Sequence, residues 1–110
     1  MCQNTNFNWE VFITMVNNMS CNHSEIQFSC LEKFLLKCDW FGMTEKEIFE
    51  ALDKNRAKFK HYYINQYYIR GGFKPNIMRK LSQLINQPVN KNNFKEVFQR
   101  RWEEYNRTNF

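Results

Sequence analysis

The chain has 110 residues, room for one hydrophobic core and too little for two. Its 16 basic and 11 acidic residues give a formal net charge of +5. No apolar run approaches the roughly 20 residues that cross a bilayer, so a membrane-spanning role is excluded from the expectation. The polar start Met1–Asn8 lacks the basic-then-apolar pattern of a secretory leader, which points to an intracellular, cytoplasmic protein.

In that compartment the four cysteines, Cys2, Cys21, Cys30 and Cys38, are expected to be reduced. Cys21, His23, Cys30 and Cys38 follow no structural zinc spacing, so no metal is expected, nor any other cofactor. The sequence holds no Walker loop, dinucleotide fingerprint, HExxH or EF-hand loop, and its nucleophiles have no assistant at a recognisable spacing. The expectation is a non-catalytic protein.

The elements read as helices from end to end. The first starts after Asn8, with Phe7 and Phe12 placed as a hydrophobic staple and Trp9, Phe12, Ile13 and Val16 along one face. For the second, Ser24 and Gln27 have capping-box spacing. Its wide apolar face runs through Ile26, Phe28, Leu31, Phe34, Leu35, Cys38 and Phe41 to a stop at Gly42. Thr44 and Glu47 box the third helix, and Met43 and Ile48 staple it. Its pattern extends as far as Ile69, with an interruption or bend at Asn55 and Arg56, and the pair Gly71–Gly72 ends it. The stretch Tyr62–Ile69 is the one with marked strand character. Pro75 suits the first position of a fourth helix buried through Ile77, Leu81, Leu84 and Ile85. After Pro88, Asn93 and Glu96 cap a fifth helix in which Phe94, Val97, Phe98, Trp102 and Tyr105 share a side. The fold expected is therefore a single all-α domain over residues 1–110. It has about five helices in an orthogonal or bundle-like arrangement and frayed polar ends. Nineteen aromatic residues either fill its core or leave an exposed aromatic patch.

Charge divides within the third helix. Residues 1–53 hold three basic and eight acidic groups, a surplus of −5, whereas residues 54–110 hold thirteen and three, a surplus of +10. Basic residues interleaved with tyrosine suit a nucleic acid, since cations neutralise phosphate and a tyrosine ring stacks on a base. The candidate contact residues are Lys54, Lys58, Tyr62, Arg79, Lys80, Lys95, Gln99, Arg100 and Arg101. A helix-turn-helix can be drawn from Lys74–Gln87 to Asn93–Arg107, with Asn92, Asn93, Lys95 and Gln99 at base edges, although its turn exceeds the usual three or four residues. The function read from these features is a small regulator that binds DNA or RNA through its basic half. The alternative is an inhibitor or adaptor that occupies a charged surface on a protein partner, with homodimerisation open through the wide apolar second helix and the aromatics.

Overall fold

A computed structural model describes residues 6–59 and 74–108. They form a compact all-α bundle of five helices, with no strand among them. These are α1 (Trp9–Cys21), α2 (Cys30–Trp40), α3 (Glu45–Lys54), α4 (Lys74–Ile85) and α5 (Phe94–Thr108).

Helix α1 starts as its sequence dictates. The Asn8 side chain accepts a hydrogen bond from the Val11 amide at 3.0 Å, supplying one of the partners that a helix start lacks. The staple rings of Phe7 and Phe12 lie edge to face, 6.2 Å apart. Trp9, Phe12 and Val16 are buried, and Phe12 sits at the centre of the aromatic core. Its ring lies 5.0 Å from Trp40, 5.6 Å from Phe94 and 5.2 Å from Phe98, so one side chain joins α1, α2 and α5.

The second helix starts five residues later than its sequence pattern suggests. Ser29, not Ser24, is the cap: its hydroxyl accepts from the Glu32 amide at 3.1 Å, and the Glu32 carboxylate accepts from the Ser29 amide at 2.8 Å. Gln27 serves the preceding turn instead, donating to the carbonyls of Ser20 and His23. Ile26 is buried from that turn, and Phe41, expected on the buried face, is 62% exposed beyond the helix end.

Helix α3 opens with the predicted Thr44–Glu47 box and buries Ile48 and Leu52. It stops at Lys54 rather than continuing toward Ile69. Asn55 is its C-cap, and that side chain donates to the Ala51 carbonyl at 2.7 Å, satisfying an acceptor the next turn would have used. Turns follow to the buried Phe59, which lies 5.1 Å from Phe34. The tyrosine-rich stretch and the Gly71–Gly72 stop lie outside the described residues. Helix α4 begins at Lys74, one residue before Pro75, and ends with Asn86 in the left-handed region (φ 52°). The Gln87 amide returns to the Ser82 carbonyl there at 3.1 Å, a Schellman closure.

Helices α2 and α4 run antiparallel, joined at two levels. Lys80 reaches both oxygens of Glu32 at 2.8 Å, and Lys74 reaches Asp39 at 3.0 Å. Asn76 adds a 3.2 Å bond to Glu32.

Candidate nucleic-acid interface

Among the described residues the shortest interhelical connection is Phe41–Thr44, between α2 and α3. Gly42 has φ +68°, a conformation that lets the chain reverse at no steric cost to glycine. The Met43 amide then bonds the Cys38 carbonyl at 3.0 Å and the Gly42 amide bonds the Asp39 carbonyl at 3.1 Å, a full Schellman turn. A four-residue turn containing glycine has the length and composition of a helix-turn-helix turn. The pair drawn from sequence, α4 and α5, is separated by eight residues, 86–93.

Helix α3, after the glycine turn, is acidic where a DNA reader is usually neutral or basic. Glu45, Glu47, Glu50 and Asp53 outnumber Lys46 and Lys54, and all six are exposed. Apart from Lys46 in the first turn, its positive charge lies at the C-terminal end. Lys54 closes the helix, Arg56 pairs back to Asp53, and Lys58 follows with its ammonium 5.6 Å from the Phe59 ring. Lys54 and Lys58 are exposed and have no ion pair among the described residues.

The other candidate contacts sit elsewhere. Lys80 is turned inward, 20% exposed, onto Glu32 and the Gln27 carbonyl at 2.6 Å. Lys95 donates to the Trp40 carbonyl at 2.8 Å with its ammonium 4.9 Å from that indole ring, so it caps the C-terminus of α2. Arg101 donates to the Ile85 carbonyl at 3.2 Å at the C-terminus of α4. Three long cations of the basic half therefore fasten other parts of the fold.

Arg79 bonds Asn76, Arg100 pairs with Glu96, and Gln99 reaches Glu103 at 3.5 Å. Five residues along a helix turn through about 140°, so Lys95 and Arg100 do not share a side of α5. Tyr62 lies outside the described residues. Sequence reasoning missed Glu32, which accepts from Lys80, and Asn76, which donates to that carboxylate; the Ser29–Glu32 box was the available signal.

The described residues form an all-α bundle of five helices, consistent with a small regulatory or DNA-binding fold. The chain belongs to the family described as vWA-MoxR associated protein N-terminal HTH, which it matches over residues 7–101. No curated protein and no solved structure matches it. Membership in a helix-turn-helix family fits a non-catalytic protein. Among the described residues no group of three or more His, Cys, Asp or Glu could hold a metal ion. No described helix is long and apolar enough to cross a membrane.

Proposed function

We propose that the chain acts as one non-catalytic regulatory domain that grips the nucleic-acid backbone through the basic end of its helix-turn-helix unit. The contact residues in this reading are Lys54 and Lys58, continued by Tyr62. The observation that carries it is a pair of exposed cations without an ion pair among the described residues, Lys54 at the end of α3 and Lys58 just beyond it, in a chain where Lys80, Lys95 and Arg101 have internal acceptors. The carboxylates earlier on α3 would meet phosphate unfavourably if that helix entered the major groove end-on. Binding is accordingly expected to be weakly sequence-selective, since phosphate contacts position a protein without reading bases.

The test is a titration with duplex and single-stranded DNA and RNA across salt concentrations. Affinity should fall as salt rises. Lys54→Gln with Lys58→Gln should flatten the logarithmic slope by about 2, one for each phosphate no longer neutralised. Absence of binding at low salt, or a slope indifferent to both substitutions, overturns the reading.

The acidic α3 surface favours a second reading, in which a basic protein docks on the same unit. The family's description, of domains in vWA-MoxR associated proteins, is compatible with a protein partner. Stoichiometric recovery of one protein after nuclease treatment, abolished on reversing Glu45 and Glu50 to lysine, supports this second reading.

A further inference from the structure

We propose that the face formed by α1 and the end of α5 is a self-association surface that accepts a second copy of this chain. A groove of about 710 Å³ lies between the two helices. Val11, Met15 and Met19 recur every fourth residue and so line one side of α1. Trp102 and Tyr105 form the opposite wall, and Tyr105 is 66% exposed. Only Phe41 and Tyr105 are large apolar side chains exposed to this degree among the described residues. Flexible thioethers on the α1 wall adapt to an incoming side chain.

Charge selects the occupant. The chain carries +5, so two copies repel along most approaches. This groove is neutral: its charged residues are Glu10 on the α1 wall and Arg101 on the α5 wall, and its remaining lining is uncharged. Glu10 makes no ion pair among the described residues. Arg101 donates one bond to the Ile85 carbonyl, leaving further guanidinium donors for a carboxylate. In a two-fold arrangement each contact occurs twice, so Glu10 of one copy meets the partner's Arg101 and the reverse. The groove rims of the two copies, Tyr105 included, then pack against one another, giving an isologous, self-closing pair. With a single arginine offset by Glu10, the groove is a poor seat for a nucleic acid.

The experiment is sedimentation velocity on the full chain from micromolar to millimolar concentration, with helix content followed by circular dichroism. A monomer–dimer equilibrium is expected. Met15→Glu places a charge in the groove and should weaken it by about thirtyfold or more. Glu10→Arg and Arg101→Glu should each weaken it, and the double reversal should restore it above either single variant. A chain that stays monomeric throughout, a dimer indifferent to Met15→Glu, or a double variant no better than the singles overturns the proposal. The surface excludes Lys54 and Lys58, so nucleic-acid titrations on the same variants report separately on the function proposed above.

Discussion

Cys38 and Cys21 have the same side chain and opposite surroundings. Cys38 is buried in α2, whereas Cys21 and Cys30 are exposed. Burial pushes the Cys38 thiol from the ordinary value of 9.0 up to about 11, with the neighbouring Asp39 carboxylate adding to the rise. A thiol needs its ionised form to react, so alkylation at neutral pH should modify Cys21 and Cys30 rapidly and Cys38 only as fast as the domain opens. Peptide mapping of a time course checks this. The same shift sets a stability trend. The unfolded thiol ionises first, so the contribution of Cys38 is complete below pH 9 and is lost as pH rises toward 11. Denaturant midpoints measured on either side of pH 9 should fall for the native chain and fall less for Cys38→Ala. At the same scale, Lys95 illustrates how a cation becomes structural. Its stem carries it to the open carbonyl end of α2, where the helix dipole and the Trp40 ring both favour positive charge.

At the scale of the element, the caps decide where helices begin, and they differ in how legible they are. Asn8 and Thr44 each stand alone before an apolar stripe, and the sequence locates both starts correctly. Before α2 there are two boxes five residues apart, Ser24 with Gln27 and Ser29 with Glu32, and local pattern does not separate them. The decision is tertiary: the Glu32 carboxylate that closes the second box also receives Lys80, 48 residues away. Ser29→Ala should therefore cost about 1 kcal/mol, the ordinary value of an N-cap, whereas Ser24→Ala should leave stability nearly unchanged. Thermal or urea denaturation of the two variants distinguishes them, and equal losses would contradict the assignment. The end of α3 has a similar logic. Asn55 and Arg56 read from sequence as an interruption of the apolar stripe, and the Asn55 amide makes the interruption a stop. The basic residues single out α4 and α5 as a helix-turn-helix, while the tight turn at Gly42 lies in the acidic half.

At the scale of the molecule, the opposed charges of the two halves are partly a folding device. Lys74–Asp39 and Lys80–Glu32 each take the cation from the basic half and the carboxylate from the acidic half. Sequence made the surplus visible but not its use, because the acceptors are helix ends and side chains brought close only by packing. Glu32 is 7% exposed, and removing its partner strands a carboxylate away from water. Lys80→Met should cost about 3–5 kcal/mol, the usual penalty for breaking such a pair, while Lys80→Met with Glu32→Leu should recover much of it. Urea unfolding of the single and double variants measures both quantities. A loss below about 1 kcal/mol for the single change would place the pair with ordinary surface contacts.

The Lys74–Asp39 contact has a topological consequence. Helix α2 ends one residue after Asp39, and α4 begins at Lys74 itself, so the chain leaves and re-enters the frame at one clasp. The described residues between them, 41–59, carry the glycine turn, α3, Lys54 and Lys58, and are tied back into the common core by Ile48, Leu52 and Phe59. The ion pair thus fixes the point where this stretch departs to the start of a helix 35 residues further along the chain.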